Sequence, residues 1–359
     1  MLDKFIKFRY KRVVLTFVWS LAFVGSNSLT EAQELKIAHG DSLSSSGLSE
    51  TQERVVFDSS FMNGPRTASP RWESGYLISR EIETFVPDTP NVRLYDKSGR
   101  KVREASIWFQ GAQRLLIKDA AVTSDGRIVA SGIAEKPDGT AAPFIALTNL
   151  AGSVTNVVRT DGFYPANICV APDSTVWSFG GTGYNESNRA NPGAVLRHFD
   201  FQKGQIGAFI SRSAYPTSPM PDERAFIRCS STQAVVYAAQ VHEYIEMDYD
   251  STSPRRYLAE VPPNLKFDGF ASQGPKNAFG YFANHLKNSD PTEGLYALVF
   301  NESGKTARWV PVAGAVGPGI QSGIIRTLWG SDGQALVVSR AGDPAGRLAF
   351  HWVIPMRQQ

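Results

Sequence analysis

The sequence predicts an all-β chain built from repeated four-stranded units. An apolar strand, a tight polar turn and a second apolar strand recur in six segments, which are SPRWESGYLISRE, DAAVTSDGRIVASG, ANICVAPDSTVWSFGG, AFIRCSSTQAVVYAAQ, FDGFASQGPKNAFGYF and IRTLWGSDGQALVVSRA. A second strand pair, around a turn led by Asp or Asn, follows most copies, as in VRLYDKSGRKV and FIALTNLAGSV. No sustained helical period is present between residues 70 and 354. Radial repetition of four-stranded units is the plan of a β-propeller.

The six copies predict six blades, with seven as the alternative. Apolar residues alternate on both sides of each turn, which is typical of half-buried strands. Asp or Asn close to Gly supplies the backbone freedom that hairpin turns require. Propeller repeats of about 40 to 50 residues are common, and the first turns of these copies lie 41 to 59 residues apart. An open β-sandwich or a pair of small barrels is the alternative architecture.

The last copy predicts how the ring closes. After its first strand pair only GRLAFHWVIP remains, which supplies a third strand but no fourth. Residues 35–39 (LKIAH) and 53–57 (ERVVF) are strand-like, so one of them is expected to complete the last blade and remove an exposed edge. SLSSSGLSETQ between them is typical of a flexible linker. Residues 33–68 are therefore expected to form an N-terminal segment, and residues 69–359 the propeller.

The N-terminus predicts export. Five Lys or Arg residues within DKFIKFRYKR precede the uncharged run VVLTFVWSLAFVG and the polar stretch SNSLTEAQE. This order is typical of a secretory signal peptide, here residues 1–32. A retained membrane anchor is the alternative, but a spanning helix needs about 20 apolar residues. We expect a periplasmic or extracellular protein without a membrane span after signal removal.

The charge balance excludes a nucleic-acid binder. The chain holds 37 basic and 34 acidic residues, and removal of residues 1–32 leaves 32 of each. Nucleic-acid binding needs a clustered excess of Lys and Arg. The apparent basicity of the chain therefore belongs to the export signal.

The segments VAPDSTVWSFGG and VTSDGRIVASG resemble the blade signature of six-bladed propellers related to NHL-repeat proteins and streptogramin lyases. The resemblance covers the repeat register over most of residues 69–354 and implies the fold. Such propellers include hydrolases, lyases, lactonases, sugar-binding proteins and interaction platforms, so no single activity is implied. Streptogramin lyases use histidines and an acid at the channel mouth. No catalytic residue is carried over, because none of the five histidines of this chain begins an inner strand.

Residues that begin the first strand of each blade are the best candidates for a site. First strands line the central channel of a propeller, so these positions converge at one mouth. Alignment on the first turns places five polar residues there: Asp119, Asn167, Arg228, Asp268 and Arg326. Carboxylate, amide and guanidinium groups around one cavity can hold a cation or an anionic small molecule. The alternative is a polar, water-filled channel with internal ion pairs.

Two cysteines allow a disulfide. CVAPDSTVW and CSSTQAVVY align without a gap, so Cys169 and Cys229 occupy the same position in neighbouring blades. Export removes the reducing pools that keep thiols free. A disulfide needs Cα atoms within about 7 Å of each other. The alternative is two buried thiols, each within the core of its own blade.

No motif identifies a reaction. The sequence contains no Gly-x-Ser-x-Gly elbow, and the Gly-rich FGGTGYNES is not followed by the Lys of a phosphate-binding loop. Loop aromatics, which are enriched where proteins bind partners, are present at Tyr164, Tyr184 and Tyr215, and the alternative is that these side chains plug the edges of blades. We expect a non-catalytic monomer that binds an unidentified protein or small molecule at the loop face or channel mouth, with no cofactor specified. The alternative is a metal-dependent hydrolase or lyase that uses the channel residues.

Overall fold

The structure is a computed structural model. It describes residues 71–96, 98–160, 162–182, 193–215, 225–272, 274–283, 294–301 and 304–311, together with the backbone of four further strands at 48–57, 328–330, 335–340 and 348–355. No described residue lies in an α-helix, and the short 3-10 turn Arg212–Ala214 is the exception to strands and loops. Within these segments no helix is long and apolar enough to cross a membrane. The signal segment 1–32 and LKIAH at 35–39 lie outside the described residues.

The first half of the chain contains fourteen described strands. They are β1 (Leu48–Phe57), β2 (Arg71–Glu73), β3 (Tyr76–Arg80), β4 (Glu83–Thr84), β5 (Val92–Tyr95), β6 (Lys101–Ala105), β7 (Arg114–Val122), β8 (Ile128–Glu135), β9 (Ala141–Thr148), β10 (Val154–Arg159), β11 (Phe163–Val170), β12 (Val176–Thr182), β13 (Ala194–Asp200) and β14 (Gly204–Ser211). Three sheets result, with the orders β2-β3-β5-β6, β10-β9-β8-β7-β4 and β11-β12-β13-β14.

The second half contains eleven described strands. They are β15 (Ala225–Cys229), β16 (Gln233–Ala238), β17 (Glu243–Asp248), β18 (Arg255–Glu260), β19 (Lys266–Ser272), β20 (Ala278–Ala283), β21 (Gly294–Phe300), β22 (Thr306–Pro311), β23 (Leu328–Gly330), β24 (Ala335–Arg340) and β25 (Leu348–Pro355). The three sheets above are called the first, second and third units. β15–β18 and β19–β22 form the antiparallel four-stranded fourth and fifth units, and β23–β25 form the last unit with β1. Two parallel pairings, β18 with β22 and β19 with β23, join these units into one sheet.

The predicted all-β class is confirmed, and the described strands follow the repeat. Most units join strands that follow one another in the chain, and each pair within a unit is antiparallel, as in β7-β8-β9-β10. The exceptions are β4, which pairs with β7, and β1, which joins β23–β25. The segment VTSDGRIVASG forms the end of β7, a turn and β8. The turn is closed by a hydrogen bond from the Thr123 amide to the carbonyl oxygen of Arg127, at 3.0 Å. Successive up-and-down units of four strands are how propeller blades are built.

The core lies between neighbouring units. Trp177 of the third unit packs with Ile227 of the fourth, and Tyr237 of the fourth packs with Phe270 and Trp309 of the fifth. The indole Nε1 of Trp309 donates to the hydroxyl of Tyr237 at 3.0 Å, so this buried pair is also hydrogen-bonded. Burial of each such side chain contributes about 1.5–3 kcal/mol. The first strands of neighbouring units are thereby brought side by side.

Bulges occur within the first strands, beside Asp119 and Asn167. These two residues lie inside β7 and β11, so the expectation that they begin the strands is wrong. The pairing register shifts between Ile117 and Asp119 in β7, and between Tyr164 and Asn167 in β11. A bulge bends a strand and changes the direction of a side chain. A Cβ added at Gly132 would lie 2.1 Å from the Leu116 carbonyl oxygen, and the same close approach occurs at Gly180. Only glycine therefore fits opposite these bulges.

The N-terminal strand completes the last unit. β1 pairs antiparallel with β25, with Val55 opposite Phe350 and Phe57 opposite Leu348, and it occupies the edge of the sheet. ERVVF lies within β1, but the strand begins at Leu48, inside the stretch that was expected to be a linker. The linker expectation is therefore wrong for residues 48–52, because pairing with β25 outweighs their polar composition.

Deleting residues 33–60 should destabilise the protein, because β25 would lose one of its two neighbouring strands and expose an edge. We expect a fall in Tm of about 5 °C or more. Deleting residues 33–47, which leaves β1 intact, is the matched control and should have little effect. Thermal unfolding followed by circular dichroism measures both. Equal Tm values for the two truncated chains would contradict the role of β1.

Candidate functional site

Two of the residues predicted from the sequence belong to one buried cluster of charges. Asp119 on β7 and Arg228 on β15 are 8% and 3% exposed, and Arg71 and Glu73 on β2 join them. We call these four residues the charged cluster. Asn167 on β11 and Asp268 on β19 are half-buried, and each has interactions within the protein. Arg326 lies outside the described residues.

Arg71 is the centre of the cluster. Its Nη1 donates to Asp119 Oδ2 and to the Ile168 carbonyl oxygen, both at 2.7 Å. Its Nη2 forms an ion pair with Glu73 and donates to the Ile227 carbonyl oxygen at 3.4 Å. One side chain from the first unit therefore binds the first strands of the second, third and fourth units.

Both carboxylate oxygens of Asp119 are occupied. Oδ2 accepts from Arg71 and from the backbone amide of Ile168 at 2.9 Å. Oδ1 accepts from the backbone amide of Ala120, also at 2.9 Å. The carboxylate thus connects β7 to β11 as well as to β2, and its role in the fold is structural.

Arg228 is held differently, by carbonyl oxygens alone. Nη1 donates to the Ile227 carbonyl oxygen at 2.7 Å, and Nη2 donates to that of Phe270 on β19 at 3.4 Å. Its Nε is buried without a hydrogen-bond partner. Arg71 and Arg228 both donate to Ile227, so their two positive charges lie close together.

Burial and charge shift the pKa values of the cluster. Burial lowers the pKa of Arg71, but attraction to Glu73 and Asp119 outweighs it and leaves the pKa above its ordinary value. Burial raises the pKa of Glu73, against the attraction of Arg71 and Arg228. Burial, followed by repulsion from Arg71, lowers the pKa of Arg228 to about 9. Arg228 therefore carries its charge at a cost to stability.

Sequence reasoning missed Arg71 and Glu73 because the first copy has a shorter turn. Ser74 and Gly75 alone connect β2 to β3, with φ values of 50° and 81°. Positive φ at both central residues is the geometry of a two-residue hairpin turn. In the second unit the connection runs from Val122 to Ile128. Alignment of the copies on their first turns therefore placed the first copy out of register with the others. The Arg and Glu on either side of Trp72 were a signal in the sequence that could have identified these two residues.

Cys169 and Cys229 form a disulfide beside the charged cluster. Their Cα atoms are 5.4 Å apart, and the bond joins β11 to β15. Cys169 follows Ile168, and Cys229 follows Arg228. The covalent link and the cluster therefore act on the same two strands.

Among the loop aromatics, Tyr215 is buried, as the alternative of an edge-plugging side chain predicts. This residue is 5% exposed, and its hydroxyl donates to Glu243 Oε2 at 2.5 Å. Arg256 forms an ion pair with the same carboxylate and lies over the tyrosine ring. Packing between the third and fourth units explains the burial. Tyr164 is half-buried, and Tyr184 lies outside the described residues.

Metal ligation has no candidate among the described side chains, since no three His, Cys, Asp or Glu residues come together there. Among the histidines that the structure describes, His198 is half-buried and stacks on Trp177, with ring centroids 4.1 Å apart. Its Nε2 contacts Thr175 Oγ1 at 2.7 Å, and the Thr175 hydroxyl donates to Asp173. Burial lowers the pKa of His198, against the attraction of Asp173 and Asp200. His198 is thus engaged in packing and hydrogen bonding.

Comparisons with known proteins add little. No protein-family model matches the sequence, and no curated protein is significantly similar to it. Among solved structures, the soluble aldose sugar dehydrogenase from Escherichia coli in its apo-form is similar at 12% identity and a TM-score of 0.41. The similarity covers 80% of this chain and 96% of that chain. At this level it assigns neither a family nor an activity.

Proposed function

We propose that this chain is an exported, six-bladed β-propeller that works as a binding protein and not as an enzyme. The consecutive four-stranded units and the pairing of β1 with β25 support six blades in a closed ring. The basic, apolar and polar order of residues 1–32 supports export. The binding role rests on how the charged side chains and the exposed apolar side chains are used.

The charged cluster supports a non-catalytic role. A general base must offer a free carboxylate within hydrogen-bond reach of the substrate. Asp119 accepts three hydrogen bonds within the protein, and Glu73 is paired with Arg71. A metal ion at Asp119 would have to displace Arg71 from the same oxygen. The hydrolase or lyase alternative is therefore disfavoured.

An exposed apolar loop is the single observation that carries the binding role. Ile82, Phe85 and Val86, in the loop between β3 and β5, are 40%, 46% and 59% exposed. We call these three side chains the 82–86 patch. Aromatic side chains are enriched in protein interfaces, and apolar groups gathered at one exposed place mark interaction sites.

The loop that carries the 82–86 patch is anchored. Glu83 and Thr84 form β4, which pairs with Leu115 and Leu116 on β7. The backbone amide of Ile117 donates to the Ile82 carbonyl oxygen at 3.0 Å. Because the loop is already ordered, binding to it would not incur the full entropic cost of fixing a mobile segment. We infer that the patch binds an apolar surface of another protein.

The double substitution Phe85→Ser and Val86→Ser tests this role. A partner is isolated from the extracytoplasmic fraction of the producing organism, identified, purified and titrated against the wild-type protein. The double variant should bind it at least about tenfold more weakly, as expected when interface anchors are truncated. The matched control is Leu150→Ser with Ile206→Ser, which changes two residues that are 54% and 44% exposed elsewhere. Equal affinity of the two double variants would overturn the proposal.

A further inference from the structure

Arg228 is a buried cation without a carboxylate partner among the residues that the structure describes. It is 3% exposed, and both of its hydrogen bonds go to backbone carbonyl oxygens. None of the described carboxylates lies within ion-pair distance of it, and its Nε has no partner.

The negative charges nearby are already used. Glu73 and Asp119 both pair with Arg71. Arg80 on β3 adds a third guanidinium, which interacts with Asp119 and Arg71 at longer range and donates to the Ile117 carbonyl oxygen at 3.1 Å. Among the described residues that interact with the cluster, three guanidinium groups therefore face two carboxylates, which leaves an excess of one positive charge.

A buried charge without a counter-charge is costly, whereas a charge-assisted hydrogen bond to an anion compensates it. We propose that Arg228 binds a small monovalent anion, of halide or formate size, on the side of its unpartnered Nε. A single negative charge matches the excess of the cluster. The anion must be small because so little of the side chain contacts solvent. This site is separate from the 82–86 patch and does not depend on the proposed function.

The consequence is a structural anion in the middle of the fold. Arg228 connects β15 to β19 through the Phe270 carbonyl, and Arg71 connects β2 to β7, β11 and β15. An anion at Arg228 would stabilise the positive charge that Arg71 repels. Filling the site should therefore stabilise the folded state and leave the unfolded chain unaffected.

Thermal unfolding of the whole purified protein tests the site in solution. Sodium chloride or sodium formate is titrated against sodium sulfate at constant ionic strength. Sulfate stabilises folded proteins in general, so the effect of the site is measured relative to that background. Relative to it, about 0.2 M of either monovalent anion should raise the Tm of the wild-type protein by about 3 °C, as mass action predicts for a nearly filled site. Arg228→Met should abolish this rise, whereas Arg100→Met, at a side chain that is 77% exposed, should retain it.

Crystals equilibrated with bromide provide a test that needs no variant. Anomalous scattering should show one bromide within about 3.5 Å of Arg228 Nε, and formate should displace it if the site accepts both anions. Bromide that formate does not displace would restrict the proposal to halides. No anomalous density beside Arg228, or an equal anion dependence of Tm in wild type and Arg228→Met, would overturn it.

Discussion

Replacing Arg71 with Met should lower the free energy of unfolding by about 3–5 kcal/mol, because removing one partner leaves buried charges uncompensated. The side chain is the common partner of Asp119 and Glu73, and it is 7% exposed. The change would also leave the carbonyl oxygens of Ile168 and Ile227 without their donor. Chemical denaturation followed by tryptophan fluorescence measures the loss.

A double-mutant cycle separates the charge from the packing. Asp119→Asn removes the negative charge that Arg71 neutralises, so Arg71→Met should cost less in that background than in the wild type. The coupling between contacting groups should be about 0.5–3 kcal/mol. Arg100→Met is the control, since the pair of Arg100 with Asp96 is exposed and screened by water. If the losses in unfolding free energy caused by Arg71→Met and Asp119→Asn were additive, the ion pair between these residues would not be what stabilises the cluster.

Removing the disulfide should have a comparable effect. The bond joins residues 60 positions apart, and closing a loop of that length stabilises a protein by about 4 kcal/mol through the unfolded chain. Cys169→Ala with Cys229→Ala should therefore unfold at lower denaturant concentration than the wild type in the absence of reductant. Alanine is preferred to serine because Cys169 is fully buried.

Reductant supplies the control for this second prediction. It should lower the stability of the wild type towards that of the double alanine variant and leave the variant unchanged. A thiol reagent added to the denatured, unreduced protein should find no free thiol. Two reactive thiols per chain, or equal stability of the two proteins without reductant, would contradict the disulfide.

Local sequence patterns predicted the strands of this chain well. The two signals used, apolar alternation along a strand and the residues of its turn, are both short-range. VTSDGRIVASG contains the alternation of two half-buried strands and the Asp-Gly of their turn, and it forms part of β7, a turn and β8. β4 was not predicted, since two residues that pair with the neighbouring unit have no period of their own. The parallel pairings of β18 with β22 and of β19 with β23 likewise depend on how whole units pack.

The site was predicted only in part, for a reason that lies in one turn. Asp119 and Arg228 were found because their copies have similar connections, and both belong to the charged cluster. Arg71 was missed because Ser74 and Gly75 shorten the first connection. Its partner Asp119 lies 48 residues away, and no local pattern reports an ion pair over that separation. The choice between an exposed and a packed Tyr215 stayed open for the same reason, since its partner Glu243 lies 28 residues further along the chain.

The pairing of β1 with β25 sets the order of events while the chain is being made. Leu48 lies opposite Pro355, so β1 can pair with β25 only after residues 348–355 have been synthesised. During that interval β1 has an unpaired edge, and contacts between such distant residues form slowly because a long loop must close first. The unit of β1 and β23–β25 can form only after β25 has been synthesised. A chain halted before β25 therefore leaves β1 without the strand that it pairs with.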